Sequence, residues 1–390
     1  MKALFVHDHI FHYNNNEKLL FSAGKLNNQS FFRYLEHFNS LTILSRYNFV
    51  DLTEETNTSM NLIDDKRINF IPFENQSTFK NRFINRQKNK ALIKNIISNF
   101  DAIILRVPSE ISFLTAEVCR QENIPYVCEV VACPVDAMKG LNTLKSKVYL
   151  PIIKHSMIST VSNAFSSLYV TSHFLQKRYP TKGQSTTASN VEIDTISKTP
   201  KQLSKKEEYN IALIGNLDSD HKGYPILYKA LYELDKILNF NINVLLIGSG
   251  SKYKTVHQYS NIKIIYTGNL KKNMIHQVLA SDVDLYIQPS NQEGLPRATI
   301  EAMSHALPCI VSNVGGLPEI INAEYTHGSS DYMMLSNLIL KILTNTQEYK
   351  TQSIANLQKS SNYLSEKLSP IRYNFYRTYY NHIKQMRALK

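Results

Sequence analysis

Residues 281–321 read SDVDLYIQPSNQEGLPRATIEAMSHALPCIVSNVGGLPEII. The apolar run VDLYI predicts a buried strand, and the turn residues Pro289 and Ser290 end it. Pro296 suits the first turn of a helix, where its missing N–H costs nothing, and we expect that helix to continue through about His305. A second short strand follows at LPCIVS. The stretch therefore predicts strand, loop, helix and strand, the repeating unit of a parallel α/β sheet.

Two glutamates flank the start of the predicted helix. Glu293 stands just before the first turn and Glu301 more than a turn inside it. The first turn of a helix presents free N–H groups, which bind anions such as phosphate. A ligand lying across this start could place a phosphate at the amides of Arg297 and Ala298, while one carboxylate accepts the hydroxyls of a sugar and the other those of a ribose. The alternative is an ordinary capped helix on the surface.

Similar apolar runs recur on both sides of this stretch. The predicted strands are 2–7, 101–107, 125–131 and 167–172 in the first half, and 210–215, 243–250, 262–268, 283–290 and 307–312 in the second. Because helix-like stretches separate them, the sequence predicts parallel sheets with helices on both faces and ligand loops at the carboxyl ends of the strands. The predicted division is an N-terminal acceptor-binding domain 1–195, a polar linker 196–209, a donor-binding domain 210–368, and a helix 369–390 that packs back toward the first domain.

Composition limits the classes of protein that remain. The chain has 390 residues, of which 43% are hydrophobic, which is typical of two globular domains rather than of a disordered protein. No run of eighteen apolar residues and no signal-peptide pattern is visible, so we expect a cytoplasmic protein. The four cysteines match no zinc spacing, and we expect them to be reduced. A net charge of +12 favours an anionic partner, although no nucleic-acid motif is present.

The stretch 281–321 resembles the signature of the retaining family 4 glycosyltransferases, which have the two-domain GT-B fold. That signature is a strand ending in Pro-Ser, a glutamate, seven residues, Glu-Ala-Met, a short strand with proline, and Gly-Gly-x-Pro-Glu, and every part is present in order. Weaker similarities lie at 214–227, 264–270, 169–180 and 189–194. The resemblance implies two Rossmann-like, doubly wound parallel-sheet domains that face a cleft, with the donor bound by the second.

The resemblance also implies roles for individual residues. Glu293 resembles the glutamate that binds the transferred sugar, Glu301 the one that holds the ribose, and Lys222 the lysine that neutralises the leaving phosphates. The other donor-binding candidates are Gly215 and Asn216 in the first loop, Gly268 and Asn269 near the base, and Gly294, Leu295, Pro296, Arg297 and Ala298 at the diphosphate. The family often has an arginine where this chain has Asn216. Arg297 and Arg106 are the candidates to replace its charge.

No cofactor or metal is expected, because retention in this family needs neither. Two Asp-x-Asp pairs, at 218–220 and 282–284, look like the metal signature of a different glycosyltransferase fold, but such pairs are also common in turns. The segment GSGSKY, 248–253, invites a dinucleotide interpretation, but it lacks a third glycine and an acidic residue at the end of the next strand.

Residues in the first half were considered for the acceptor side. The candidates are His9, Gly24, Arg106, Glu129 and Asp136. A carboxylate held in a structural pair is the alternative for Glu129. The basic segment 79–96 carries six cations and no acid, which favours contact with an anionic membrane. The alternative there is a solvated basic face whose apolar residues Phe79, Phe83, Ile84 and Leu92 pack on the core.

The resemblance implies a retaining, metal-independent glycosyltransferase that uses a nucleotide sugar, with a UDP-sugar favoured over a GDP-sugar. The resemblance implies a polyprenyl-diphosphate-linked surface glycan (capsule, O-antigen or exopolysaccharide) as the acceptor, and a peripheral location on the inner face of the cytoplasmic membrane. Two alternatives stay open: an NAD-dependent enzyme that modifies nucleotide sugars, and a partner subunit that binds nucleotide without catalysis.

Overall fold

The computed structural model describes residues 1–23, 26–51, 60–141, 143–256 and 258–389. The chain forms two compact units. Unit 1 comprises Met1–Val135, Thr143–Ala188 and Ser369–Lys390, and unit 2 comprises Asp136–Asn142 and Ser189–Leu368. Among the described residues, no helix is both long enough and apolar enough to span a bilayer.

Unit 1 is built on a nine-stranded sheet. Its strands are β1 (Lys2–Asn14), β2 (Leu19–Ser22), β3 (Ser40–Phe49), β4 (Asn61–Ile63), β5 (Ile68–Pro72), β6 (Ala102–Val107), β7 (Tyr126–Val130), β8 (Ser166–Tyr169) and β9 (Gln184–Thr187). The parallel strands lie in the order β5-β3-β1-β6-β7-β8-β9. Strand β2 pairs antiparallel with the far end of β1, and β4 pairs antiparallel with β2. Strands such as β6, with the sequence AIILRV, are apolar on both faces because helices cover both sides of a parallel sheet.

The helices of unit 1 lie between its strands, apart from the last one. They are α1 (Asn28–Leu35), a π-helical turn (Lys80–Ile84), α2 (Arg86–Ile97), α3 (Glu110–Gln121), α4 (Pro134–Leu141), which runs into unit 2, α5 (Leu144–Ser162), α6 (Phe174–Arg178) and the C-terminal α13 (Ser365–Ala388). From Ser369 onward α13 belongs to unit 1. The Tyr379 hydroxyl of α13 donates to Pro125 O (2.9 Å) and accepts from Ile103 N (2.9 Å), which joins the helix to the sheet.

Unit 2 contains a six-stranded, all-parallel sheet in the order β12-β11-β10-β13-β14-β15. Its strands are β10 (Glu208–Ile214), β11 (Asn241–Ile247), β12 (Ile262–Gly268), β13 (Leu285–Gln288), β14 (Cys309–Ser312) and β15 (Thr326–His327). Its helices are α7 (Tyr224–Asp235), α8 (Lys272–Ser281), α9 (Arg297–Ser304), α10 (Leu317–Ile320), α11 (Tyr332–Thr344) and α12 (Thr346–Ser360). One apolar core runs from Val191 to Tyr349 and includes all these strands except β15. The order reverses between β10 and β13, where parallel sheets bind ligands.

Three features differ from the sequence expectation in detail. The first strand was expected to end at His7, but β1 continues through Asn14, because a bulge between His7 and Ile10 lets it keep pairing with β3. Strand β10 begins at Glu208, inside the stretch predicted as linker. The first domain was expected to end at residue 195, but unit 1 gives way to unit 2 between Ala188 and Ser189. The short segment 136–142 also belongs to unit 2.

Candidate functional site

The candidate site of unit 2 lies where two loops meet at the carboxyl ends of β10 and β13. The Nζ of Lys222 is 2.7 Å from the Glu293 Oε1, so the two predicted catalytic residues form an ion pair across 71 positions of sequence. The Asn291 amide donates to His221 O at 2.8 Å and fixes one loop on the other. Both side chains of the ion pair are mostly shielded, with relative exposures of 24% and 13%. Their attraction is therefore less screened than that of a surface pair.

A chain of buried hydrogen bonds positions Glu293. The Tyr286 hydroxyl donates to Gln288 Oε1 (2.6 Å), Gln288 Nε2 donates to Ser290 Oγ (2.7 Å), and Ser290 Oγ donates to Glu293 Oε1 (2.9 Å). The first three side chains are fully buried. One oxygen of Glu293 is thus occupied by Ser290 and Lys222, and the carboxylate is oriented before any ligand arrives.

The sequence analysis did not predict this chain of hydrogen bonds. Tyr286 and Gln288 are alternate residues of β13 and therefore project to the same face, which a strand prediction alone could have indicated. What the pattern does not show is that the same face ends at Ser290 and Glu293, because that depends on how the loop turns after the strand.

Two glycines allow the loops around Glu293 to approach each other. Gly223 has a φ of 74°, and a Cβ there would stand 1.8 Å from Pro289 O. Gly315 has a φ of 59°, and a Cβ there would stand 1.8 Å from Glu293 O. The next amide, that of Gly316, donates to Gly294 O at 2.9 Å. Both positions need glycine for conformation and for space.

The loop that follows β10 packs against the side chain of Lys222. A Cβ on Gly215 would meet Cγ and Cδ of Lys222 at 3.0 Å, so the aliphatic stem of the lysine lies over this glycine. The Tyr224 hydroxyl donates to Gly215 O at 3.0 Å. The bare backbone at Gly215 therefore sets the direction in which the ammonium group reaches Glu293.

Helix α9 offers its first turn to a ligand. Its hydrogen bonds begin with Ile300 N donating to Pro296 O, so the amides of Arg297 and Ala298 have no partner in the helix. The Arg297 NH1 is 3.8 Å from Glu301 Oε1, and its NH2 donates to Asn190 O at 3.3 Å. Gly294 and Leu295 connect Glu293 to this helix start.

Within the described part of the chain, three buried polar atoms at or just before this turn have no hydrogen-bond partner. They are Gln292 Oε1, Arg297 Nε and Thr299 Oγ1. Buried polar groups are nearly always satisfied in folded proteins, so these three atoms and the free helix amides could together bind a polar ligand. Gln292 Oε1 also lies 3.2 Å from the point where a Cβ on Gly140 would stand.

The side chain of Asn216 is engaged in a hydrogen bond within its own loop. Its Oδ1 accepts from Asp218 N at 2.7 Å, and the Asp218 carboxylate accepts from the amides of Ser251 (2.8 Å) and Lys252 (2.9 Å). In the GSGSKY segment these two amides are consequently engaged by Asp218, which disfavours the dinucleotide interpretation.

The Asp-x-Asp pairs take part in structural hydrogen bonds. Asp220 accepts from Lys252 Nζ (2.5 Å) and the Tyr253 hydroxyl, and Asp284 accepts from Lys206 Nζ at 2.7 Å. Over the described part of the chain, no group of three His, Cys, Asp or Glu side chains has an arrangement suited to holding a metal ion.

The residues predicted near the base lie at the end of β12. Gly268 has a φ of 70°, and no atom of the described residues lies within 4 Å of the point where its Cβ would be. Its carbonyl accepts from Gly248 N at 3.0 Å, and Asn269 next to it is exposed. This loop is open on the ligand side of unit 2's sheet, at the same carboxyl edge as Lys222.

In unit 1, Glu129 lies in a buried network. Its carboxylate accepts from Arg106 NH1 (2.6 Å), from the Tyr34 hydroxyl (2.5 Å) and from the Tyr376 hydroxyl. Glu129 is 3% exposed. Burial acts to raise its pKa, but Arg106, Arg33 and the two tyrosine hydrogen bonds hold that pKa below its usual range. This geometry fits the alternative of a structural carboxylate, and it engages Arg106 as well.

The remaining acceptor-side candidates belong to different elements of the structure. His9 lies inside β1, where its Nε2 is 2.9 Å from Ser22 Oγ, and burial, followed by the charge of His12, lowers its pKa. The neighbouring Asp8 accepts from the amides of Glu110 and Ile111 and so caps α3. Asp136 is in α4, in the segment that groups with unit 2. Gly24 lies outside the described residues.

Comparison with known proteins identifies what the chain is similar to. Residues 195–359 match the family model for glycosyl transferases group 1. Over 374 residues the chain is 29% identical to Protein CapJ of Staphylococcus aureus, a match that covers 94% of this chain and 93% of that protein. The family match supports glycosyltransferase activity, and it spans the loops of Lys222 and Glu293.

Solved structures identify the fold. Anabaena Alr3699/HepE, determined in complex with UDP, aligns with a TM-score of 0.62 at 14% identity and covers 97% of this chain and 99% of its own. The lipopolysaccharide outer core galactosyltransferase WaaB aligns with a TM-score of 0.63 at 15% identity and covers 97% of this chain and 100% of its own. At these identities the likeness establishes the fold alone, and it confirms the predicted GT-B fold of two parallel-sheet α/β domains.

Proposed function

We propose that this chain is a retaining, metal-independent glycosyltransferase that moves a sugar from a nucleotide sugar to a lipid-linked surface glycan. A UDP-sugar is favoured over a GDP-sugar. The observation that carries the proposal is the Lys222–Glu293 pair, set at 2.7 Å beside the open first turn of α9 and its orphaned polar atoms. The family match over 195–359 supports the reaction class.

The proposed chemistry follows from the charges of these groups. The bond between the anomeric carbon and the diphosphate oxygen breaks, and the nucleoside diphosphate leaves with the electron pair. Lys222 and the amides of Arg297 and Ala298 stabilise the negative charge that develops there. An acceptor hydroxyl attacks the same face of the sugar and transfers its proton to the leaving phosphate. In this scheme Glu293 holds the hydroxyls of the sugar and Glu301 those of the ribose.

Arg297 supplies the second positive charge in this proposal. The arginine that the resemblance would place at position 216 is replaced by Asn216, whose side chain holds a turn. Arg106 is engaged by Glu129 in unit 1, whereas Arg297 stands at the start of α9 with an unsatisfied Nε. The contacts of Arg297, a 3.3 Å hydrogen bond and a 3.8 Å ion pair, are long enough to be exchanged for a phosphate.

The acceptor in this proposal is a glycan on a polyprenyl diphosphate. Such an acceptor places the reaction at the inner face of the cytoplasmic membrane, where the basic segment 79–96 would contact anionic lipid. The support is the resemblance described above and the absence of acidic residues from that segment.

A turnover assay tests the proposal. Nucleotide release is measured with a panel of UDP- and GDP-sugars in the presence of EDTA, with and without a polyprenyl-diphosphate glycan. We expect release from one donor, reduced on the order of 100-fold or more in Lys222→Ala and in Glu293→Ala, as is typical when one charge-stabilising group is lost. Retention is checked by the anomeric configuration of the product.

The surface pair Lys236–Glu233 provides matched controls. It lies in unit 2 and joins Nζ to Oε2 at 2.8 Å, but it is far more exposed than the Lys222–Glu293 pair. Lys236→Ala and Glu233→Ala should leave release unchanged. Tight UDP binding without turnover of any donor would instead favour the silent-subunit alternative, and release that is abolished by EDTA would contradict metal independence.

A further inference from the structure

The segment 79–96 exposes its large apolar side chains to solvent. Phe79 is 72% exposed and Ile84 69%, and Phe83 and Leu92 are exposed as well. The core contacts of α2 come from Ile93 and Ile97 instead. The alternative in which Phe79, Phe83, Ile84 and Leu92 pack on the core is therefore wrong.

Helix α5 carries a second exposed apolar surface that the sequence analysis did not identify. Leu144 is 79% exposed, Val148 67% and Ile152 43%. Residues spaced by four lie on one face of a helix, so these three form a continuous stripe. Other positions of α5, including Met157 and Val161, supply the buried contacts of the helix. An apolar stripe on solvent, in addition to a buried side, is unusual for a surface helix.

The two surfaces adjoin. The guanidinium carbon of Arg82, in the π-helical turn, lies 3.6 Å from the ring centroid of Tyr149 in α5. Arg82 NH2 is also 3.2 Å from Glu110 Oε1, and the Tyr149 hydroxyl donates to the same carboxylate. Tyr149 follows Val148 in sequence and lies about 100° around the helix from it, so the turn that bears Phe83 packs against the face of α5 next to the stripe.

The two segments themselves carry only cationic charges, and the Glu110 carboxylate of α3 lies between them, paired with Arg82. Residues 79–97 contain six Lys and Arg, residues 143–163 contain three Lys, and neither segment contains Asp or Glu. Some of these cations pair with acids of α3 and its end, such as Lys90 with Glu117. Lys80, Lys88, Lys145, Lys147 and Lys154 are exposed, and within the described ranges none of them has an ion-pair partner.

We propose that 79–84 and the exposed face of α5 together form a bilayer-docking surface whose apolar side chains insert between anionic lipids while the lysines contact the headgroups. Large apolar groups surrounded by cations fit a lipid boundary, since apolar burial and attraction to anionic headgroups then add. The inference deepens the proposed function by identifying the membrane-binding elements. It is tested without donor or acceptor, so that its failure is separate from failure of the transfer reaction.

The chain contains no tryptophan, which makes a single reporter possible. Val148→Trp is mixed with phosphatidylglycerol–phosphatidylcholine vesicles and with pure phosphatidylcholine vesicles, and its emission and its quenching by brominated lipid are recorded. We expect a blue shift and quenching with the anionic vesicles. Ile237→Trp, at a position that is 57% exposed in unit 2, is the matched control and should show neither.

Substitution separates insertion from simple electrostatic adsorption. The triple variant Leu144→Ser, Val148→Ser, Ile152→Ser should lower co-sedimentation with anionic vesicles by about tenfold, because the apolar part of the binding energy is lost. Ile237→Ser should bind like the unsubstituted protein. High salt should weaken binding of the unsubstituted protein only in part, but should abolish that of the triple variant.

Several outcomes would overturn the inference. They are an unshifted Val148→Trp spectrum, equal shifts for Val148→Trp and Ile237→Trp, and equal binding to neutral vesicles. A lipid-free dimer that dissociates in the triple serine variant would also overturn it, because the stripe would then bind a second copy of the chain.

Discussion

Replacing Gly315 by alanine should disable the site while leaving unit 2 folded. A Cβ at this position would stand 1.8 Å from Glu293 O, and real Cβ contacts are essentially never shorter than 3.0 Å. The peptide after Glu293 must therefore move outward by roughly 1 Å, a displacement that is enough to cost about 100-fold in rate when it misplaces a catalytic group. The methyl group also meets a φ of 59°, which adds about 1 kcal/mol of backbone strain.

Loss of the neighbouring hydrogen bond adds to the effect. Gly316 N donates to Gly294 O at 2.9 Å, and the outward movement would stretch this bond, which contributes about 1 kcal/mol. We expect the free energy of unfolding to fall by about 2 kcal/mol, so the variant remains folded. The assay is thermal unfolding together with kcat for nucleotide release at saturating donor.

Alanine substitutions at two other glycines distinguish the effect of backbone strain from that of moving the Glu293 peptide. Gly268 also has a positive φ, 70°, but has open space around it, so Gly268→Ala should show only the strain of about 1 kcal/mol in thermal unfolding. Gly328 has no positive φ and its nearest contact would be 3.5 Å away, so Gly328→Ala should keep both its stability and its kcat. An unchanged kcat in a folded Gly315→Ala protein would refute the reasoning, as would an equal loss of stability in Gly268→Ala.

Three further substitutions test other parts of the structure. Ser290→Ala removes one hydrogen bond to Glu293 and should lower kcat by about tenfold, with nucleotide affinity in a UDP titration unchanged. Glu129→Gln should cost about 3 kcal/mol in urea unfolding, because Arg106, whose side chain is only 15% exposed, would lose its counter-charge; a loss of kcat at full stability would instead mean that Glu129 acts on the acceptor. Burial and then His276 lower the pKa of His305 from 6.5 to about 4. The unfolded chain therefore takes up this proton first, and stability is lost as pH falls through that interval. After allowance for solvent screening, His305→Gln should make the fall in the free energy of unfolding between about pH 6.5 and pH 4 smaller by about 1 kcal/mol. An unchanged dependence of the free energy of unfolding on pH would contradict the lowered pKa of His305.

The sequence by itself determined the parallel α/β architecture and singled out Lys222 and Glu293, which the structure brings together. Strand and helix periodicities are local properties of the chain, and turn residues such as Pro289 and Gly315 report backbone conformations that few other residues adopt. The forty-residue signature could therefore be interpreted without tertiary contacts. The predicted strand cores 102–107, 126–130, 262–268 and 309–312 are present in the structure, with ends that shift by one or two residues.

Only the tertiary structure decided which polar groups are free and which apolar groups are exposed. Glu129 lies at a strand end, like a functional carboxylate, yet Tyr376, almost 250 residues later, closes its network. Val148 belongs to a helix whose polar and apolar residues are spread around its whole circumference, so its sequence does not indicate which apolar residues remain in solvent. Both outcomes depend on contacts between segments far apart in the chain, because burial is a property of the packed structure and not of local sequence.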